Sequence, residues 1–466
     1  MLLSSSAYFI FLVAVFFLYW PFTRSRALAL AAILFANYFF YAKWDLFYLA
    51  LIPAASACDY LIALGIERSD RPRVRRLLVT LSVVMNLAVL ACFKYLPLFL
   101  TSVAAAAGRA APQWLWVFPL GISFFVFQSL SYTLDVYRRD AKPTRSLLAY
   151  LAAVSFFPTM LAGPITRPAE LLPQLENRSR VLTGAESGQA LFLIGLGLMK
   201  KLLIADYLGE NLVDRVFDFP KLYSGFEALV GVWGYALQLY YDFSGYTDIA
   251  VGSALLLGLR LPGNFNMPYA SVNIADFWRR WHITLSNWLR DYLYFSLPGL
   301  RSRHKIFSYL NLVITMTLGG LWHGANWTFA VWGLLHGLGL AATRALQVAR
   351  GNPAPKLPRW VRAFVTAQFV SFAWIFFRAS SFENARLILE RIASLTISTA
   401  NLTAPVTFVM LVAALAHYTP KRWFERARDL FSVSPFYAQA ALLMLLAIAI
   451  QYVAATGAAP FIYTRF

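Results

Sequence analysis

The sequence predicts an all-α, polytopic membrane protein, and two observations carry that prediction: its composition and the placement of its basic residues. Of 466 residues, 59% are hydrophobic and 14% charged, against roughly 45–50% and about 25% in soluble globular domains. The apolar residues also run in segments close to the ~20 residues that a helix needs to cross ~30 Å of hydrocarbon. The net charge of +19 could suggest nucleic acid as a partner. The basic residues instead sit in short loops between apolar runs, so they form no continuous soluble face and no nucleic-acid partner is expected.

Candidate spans follow one another at 7–22, 27–42, 46–65, 77–100, 114–134, 146–163, 186–206, 223–241, 246–260, 306–322, 325–347, 360–377, 401–418 and 436–455. Several are short enough to be re-entrant or packed inside the protein, so the expected bundle has about 11–14 hydrophobic segments. The first run has no basic residue before it, lacks the charged region of a signal peptide, and reads as a retained span. Arg24 and Arg26 follow that run, and the loop from Glu67 to Arg76 holds five arginines. A further cluster is Arg138, Arg139, Lys142 and Arg145, whereas Lys43 and Arg109 stand alone in their loops. Rich and poor loops alternate, as the positive-inside rule requires of a chain that crosses back and forth. The N-terminus is then expected outside, with the arginine-rich loops in the cytoplasm. No internal repeat is visible, and residues 1–466 read as a single membrane-embedded domain. Cys58 and Cys92 are the only cysteines and lie in apolar segments, which excludes a disulfide framework and a cysteine zinc site.

Two breaks interrupt the pattern. Pro164, Pro168 and Pro173 argue against a continuous span over 164–185. From 261 to 305 the chain is dense in Trp, Tyr and Arg, and Ala275 to Phe295 reads as one amphipathic helix lying at the membrane surface. There Phe277, Trp278, Trp281, Leu285, Trp288 and Leu289 recur at three- and four-residue spacing, with Arg279, Arg280 and Arg290 between them. Ser381–Ile397 carries a similar pattern.

No nucleophile elbow, Walker loop or His-Glu-x-x-His motif is present, and no metal site is expected. What stands out is histidine placement. His323 lies in Gly319-Gly320-Leu321-Trp322-His323-Gly324-Ala325-Asn326-Trp327, at the junction of two apolar runs. An ionisable group at membrane depth is costly and usually faces a cavity or a partner. A neutral imidazole there can act as general base on a hydroxyl, or simply hydrogen-bond a carbonyl at a helix junction. His282, in Trp278-Arg279-Arg280-Trp281-His282, reads locally as an interfacial histidine beside aromatic anchors. His336 is 13 residues beyond His323, about 20 Å along a helix, and reads as structural; His304 and His417 look peripheral. Asp242 and Asp248 stand in an apolar neighbourhood and need partners, for which the arginines of 279–290 are candidates. Lys200 and Lys201 end an apolar run and mark either an interface or an anionic donor site.

The strings Tyr240-Tyr241-Asp242-Phe243-Ser244-Gly245-Tyr246-Thr247-Asp248, Asn264-Phe265-Asn266-Met267-Pro268-Tyr269, Asp276-Phe277-Trp278-Arg279-Arg280-Trp281-His282 and Leu321-Trp322-His323-Gly324-Ala325-Asn326-Trp327 together resemble the membrane-bound O-acyltransferase family in its bacterial branch. Phe156-Phe157-Pro158 and Ala162-Gly163-Pro164-Ile165 are similar to it as well. The branch includes the membrane proteins of alginate O-acetylation and of teichoic-acid D-alanylation. The resemblance implies a helix ring around a central funnel or pore in the cell inner membrane, a catalytic His323 and a second functional histidine at His282. By the same resemblance Asp242, Asp248, Trp322, Asn326, Arg279 and Arg280 are candidates for contacting substrate or lining the pore. It implies no cofactor beyond acetyl-CoA as co-substrate, a periplasmic or membrane-anchored acetyl-transfer partner, and a polysaccharide export system. The chain departs from the alginate-type pattern at Phe295-Ser296-Leu297-Pro298-Gly299, which leaves the polysaccharide open. Transfer of another acyl group, to teichoic acid or peptidoglycan, is the nearest alternative; a transporter is the alternative from another class, disfavoured because paired broken repeats are not seen.

Overall fold

A computed structural model describes residues 2–42, 49–110, 121–176, 181–298, 306–349, 351 and 357–453. The expected beginnings of the spans at 46–65 and 114–134, and His304, lie outside the described residues. Every regular element among the described residues is a helix, as expected of a membrane bundle, whose backbone polar groups must be satisfied within each segment. By length and composition, four described helices can cross a membrane: Pro72–Ala106, Trp327–Ala349, Arg359–Arg378 and Phe436–Val453. Shorter apolar helices are Ser6–Phe22, Arg26–Ala42 and Ala404–His417. Their outer faces carry exposed Phe17, Leu77, Phe364, Leu411 and Leu445, the apolar surface that lipid covers.

The chain divides into two compact units, one of 1–194 with 249–262, the other of 195–248 with 263–466. In the first, α1 (Ser6–Phe22), α2 (Arg26–Ala42), α3 (Leu51–Arg68), α4 (Pro72–Ala106), α5 (Ile122–Arg138), α6 (Leu147–Val154) and α7 (Pro168–Glu176) are the main elements. Ser5 and Ser146 start α1 and α6 as N-caps, accepting hydrogen bonds from Tyr8 N and Ala149 N, and Pro72 occupies the first turn of α4, where its missing N–H costs nothing. The interior is tied by a polar hub. Asp59 on α3 is fully buried and accepts from Ser82 Oγ (2.6 Å), Asn86 Nδ2 (2.8 Å) and Ser129 Oγ (2.6 Å). Asn37 on α2 donates to Ala152 O and accepts from Phe157 N. The expected span at 146–163 is broken after Val154, and Pro168–Glu176 is a separate helix, as the prolines predict.

In the second unit, α8 (Gly184–Leu198, its last residues here) continues as a π-helical stretch, Met199–Asp206. The two spans expected at 223–241 and 246–260 are instead one helix, α9 (Gly225–Leu256), whose residues up to Asp248 belong to this unit. The polar run between those two expected spans is helical, and its carboxylates are neutralised. Lys201 Nζ lies 2.7 Å from both Asp242 Oδ1 and Asp206 Oδ1, and Lys200 Nζ lies 2.6 Å from Asp248 Oδ2. The partners of Asp242 and Asp248 are these two lysines, in place of the arginines expected from the sequence.

Ala275–Phe295 is not one surface helix. Ile274–Trp278 and α10 (Ile283–Trp288) are short separate helices, joined through His282 at φ 41° and followed by π-helical Leu289–Leu293. Phe277, Trp278, Trp281, Leu285, Trp288 and Leu289 are all buried, so their spacing reports packing inside the protein rather than a lipid-facing stripe. Beyond them come α11 (Ile306–His323), α12 (Trp327–Ala349), α13 (Arg359–Arg378), α14 (Phe382–Ala393), α15 (Ala404–His417), α16 (Lys421–Val433) and α17 (Phe436–Val453). Trp332 and Trp374 stack at 5.5 Å in the core. His417, expected at the periphery, is 3% exposed; its Nε2 accepts from Tyr269 N at 3.2 Å and its ring meets that of Tyr240.

Candidate active site

Two glycines set the geometry at His323. A Cβ at Gly320 would stand 2.2 Å from the Phe329 carbonyl oxygen, and one at Gly324 would stand 2.2 Å from the Phe329 ring. Their absence lets α11 and α12 approach backbone to backbone. The turn between the two helices is held by Asn326, whose Oδ1 accepts from Thr328 N (3.1 Å) and whose Nδ2 donates to Ser380 O (3.4 Å).

His323 is the last residue of α11 and 4% exposed. Its ring is enclosed by Trp322 (5.0 Å), Trp332 (5.2 Å) and Phe377 (5.3 Å), and the ring of His282 lies 6.5 Å away. Residues 41 positions apart in sequence are thus brought to one place in the fold. Trp322 flanks both, 6.4 Å from His282 and 5.0 Å from His323.

His282 is fully buried with Phe243 of α9 edge-on at 4.6 Å. Its left-handed backbone is rare for a residue with a Cβ, and such strain of about 1–3 kcal/mol persists only where neighbours over-determine it. Here Asn264 does so. Asn264 O accepts from Ile283 N (3.0 Å). Asn264 Oδ1 accepts from Thr284 N (3.3 Å) and Thr284 Oγ1 (2.7 Å) and lies 3.4 Å from His282 Nδ1. An amide oxygen can only accept, so the imidazole carries its proton on Nδ1 toward Asn264. Burial pushes this imidazole down to about 3, since desolvation disfavours the cation; it is neutral at physiological pH.

Of the remaining candidates, Asp242 is 1% exposed and held by Lys201, and Asp248 is held by Lys200. Arg280 is engaged by Asp276 Oδ1 (2.9 Å) and Asn266 O (3.3 Å); Arg279 is exposed. His336 is fully buried, accepts from Trp278 Nε1 at 3.2 Å and lies in an aromatic cage. Asn264, Trp332 and Phe377 were not singled out from sequence. Asn264 lies inside a string the family shares, which was the available signal; Trp332 and Phe377 reach His323 only through tertiary packing.

Against the turn after His323 lies a cavity of about 350 Å³ walled by Gln238, Phe329, Phe377, Arg378, Asp214 and Asn326. The arrangement provides two buried imidazole side chains, an aromatic surround and an adjoining space. It can remove a proton from a bound hydroxyl and orient a carbonyl.

The sequence pattern of the MBOAT, membrane-bound O-acyltransferase family, matches residues 30–383, and the chain belongs to that family. It is a multi-pass membrane O-acyltransferase. It is 42% identical to a probable alginate O-acetylase of Azotobacter vinelandii over 82% of this chain and 76% of that protein. It is 37% identical to a peptidoglycan O-acetyltransferase of Helicobacter pylori, covering 77% and 73% respectively. A teichoic acid D-alanyltransferase of Streptococcus thermophilus is 31% identical over 48% of this chain and 57% of that protein.

Proposed function

We propose that the protein takes an acetyl group from cytoplasmic acetyl-CoA and passes it across the inner membrane for O-acetylation of an exported, alginate-like polysaccharide, through a periplasmic partner. The observation that carries this reading is the pair of buried histidine rings 6.5 Å apart beside a cavity. His323 accepts the proton of an acceptor hydroxyl as its oxygen attacks the thioester carbonyl. A C–O bond forms, the C–S bond breaks, and the proton passes to the departing CoA thiolate, giving an ester and free CoA. His282 orients the acceptor or the carbonyl. The similarity to alginate O-acetylases supports acetyl as the group moved and a polysaccharide as its destination. The peptidoglycan enzyme of comparable identity supports a second reading, in which the final acceptor is peptidoglycan.

The test is release of CoA from radiolabelled acetyl-CoA by the purified protein, with membrane extract as acceptor source. His323→Ala should lower turnover by about 10²–10⁴-fold, the usual contribution of a general base. Full activity of that variant at normal abundance would remove His323 from the mechanism. Analysis of the labelled product decides between the two polymers.

A further inference from the structure

We infer that the cavity beside His323 is the subsite for an uncharged hydroxyl compound, open to the non-cytoplasmic side, and that the Gln238 carboxamide is its hydrogen-bonding residue. The inference rests on the acyl-transfer reading above and assigns a place to the direct acceptor, the hydroxyl that carries the acetyl group onward, rather than to the alginate-like polymer.

Position comes first. The cavity is walled by the Gly324–Asn326 turn that directly follows His323, and by Phe377, whose ring touches that of His323. Whatever fills it lies against the ring and the turn that adjoin the imidazole. Gln238 is 7% exposed, lines the cavity, and its buried Oε1 accepts no hydrogen bond. Buried acceptors are nearly always satisfied, and an exception calls for an explanation; a ligand hydroxyl donating to Oε1 supplies one. Gly209 makes the room for this amide, since a Cβ there would stand 2.5 Å from Gln238 Nε2.

Charge decides the class of ligand. Among the described residues the wall holds one cation, Arg378, already bound by Asp214 Oδ1 at 2.7 Å with Asp218 at 3.7 Å. Among these described residues no positive charge is left over for the phosphates of a nucleotide donor or for a uronate carboxylate. An uncharged hydroxyl compound needs none, and the aromatic rings of Tyr235, Phe329 and Phe377 offer its carbon skeleton an apolar wall.

Sidedness follows from α11, α12 and α13. His323, Trp327 and Arg378 are the ends of these helices nearest the cavity. The opposite ends adjoin Arg301, Arg303 and Lys305, and Arg350, Lys356 and Arg359. The basic ends face the cytoplasm by the positive-inside rule, which sets the cavity toward the other side. Beyond Arg378 the next helix, α14, carries Glu383, Arg386, Glu390 and Arg391 and has no net charge.

Two measurements test this. In a Cys58→Ser/Cys92→Ser background, Ser380→Cys on the cavity wall should react with a membrane-impermeant thiol reagent in intact cells. Saturating methyl glucoside should protect it at least about fivefold better than methyl glucuronoside. Separately, Gln238→Leu should raise KM for methyl glucoside at least about tenfold while KM for acetyl-CoA moves less than about twofold, and Gly209→Ala, which displaces the same amide, should shift KM the same way. Labelling only after permeabilisation, equal protection by the two sugars, or an unchanged KM for methyl glucoside in Gln238→Leu would each overturn the proposal. Labelling is read without acetyl-CoA. A protein that never consumes acetyl-CoA would therefore sink the transfer reading alone, and the protection experiment would still decide this one.

Discussion

His282 Nδ1 lies 3.4 Å from Asn264 Oδ1, and that contact links the backbone strain at His282 to its chemistry. The same amide oxygen holds Thr284 through its N–H and its hydroxyl, so one side chain fixes both the turn and the tautomer. The other imidazole nitrogen is thereby left as the basic one, whatever it meets in the reaction.

Replacing Asn264 should therefore act through His282. Asn264→Ala removes the acceptor for both Thr284 donors and for the imidazole, a loss of about 1–3 kcal/mol per buried group left unpaired. Activity should fall further than stability does, by about 10²-fold, because a misplacement of ~1 Å at a reacting centre has that effect. Asn264→Asp retains an acceptor oxygen and should recover part of the rate. CoA release measured beside thermal unfolding in detergent separates the two; a rate that falls only in step with folded protein would reduce Asn264 to a structural role.

The ion cluster on the π-helical stretch should respond asymmetrically. Lys201 serves two carboxylates, Asp242 and Asp206, each at 2.7 Å. Lys201→Met leaves buried Asp242 and half-buried Asp206 without that cation, and breaking a buried pair from one side typically costs about 3–5 kcal/mol. Asp242→Asn keeps the Lys201–Asp206 pair and should be milder. The melting temperature of Lys201→Met should lie clearly below that of Asp242→Asn, and the opposite order would mean that Asp242 is not chiefly a structural partner.

Much of this arrangement was legible in the sequence, for physical reasons that differ by element. The loops and spans show because lipid demands long apolar runs, and the two histidines because their strings match a family. The kink at His282 did not show. Phe277, Trp278, Trp281, Leu285 and Trp288 keep helical spacing on both sides of it, and a left-handed histidine leaves no mark of the kind that glycine does. The continuity of Gly225–Leu256 was hidden because Asp242 and Asp248 break the hydropathy, while the lysines that neutralise them lie some 40 residues earlier, Lys201 and Asp242 being 41 positions apart. His417 was unreadable for the same reason: its partner Tyr269 is 148 residues away.

The close crossing of α11 and α12 should be the least forgiving feature near His323. A Cβ at Gly333 would stand 2.2 Å from Met316 O, as one at Gly320 would from Phe329 O. Both obstacles are backbone, which no rotamer change relieves. Gly320→Ala and Gly333→Ala should each lower folded yield and melting temperature, by about 1–3 kcal/mol as expected of overpacking. Gly263→Ala, with nothing within 4 Å, should stay within about 0.5 kcal/mol of wild type. Equal tolerance at all three positions would mean the helices are not in such close contact.

The Asp59 hub makes a final prediction about the first unit. One carboxylate serves Ser82 and Asn86 on α4 and Ser129 on α5, and Ser129 in turn meets Tyr150 of α6 at 3.0 Å. Removing a single donor, as in Ser82→Ala or Ser129→Ala, leaves the carboxylate with others and should cost about 1.5–3 kcal/mol, the range for a hydrogen bond to a charged group. Asp59→Ala strips the acceptor from all three at once and should cost more than either. The donors share one partner, so the Ser82→Ala/Ser129→Ala double variant should deviate from the sum of the singles by about 0.5–3 kcal/mol. Thermal unfolding of the full-length protein in detergent reads all four. Additive serines together with a harmless Asp59→Ala would show that apolar packing alone holds α3, α4 and α5, because the carboxylate would then be contributing nothing that its neighbours need.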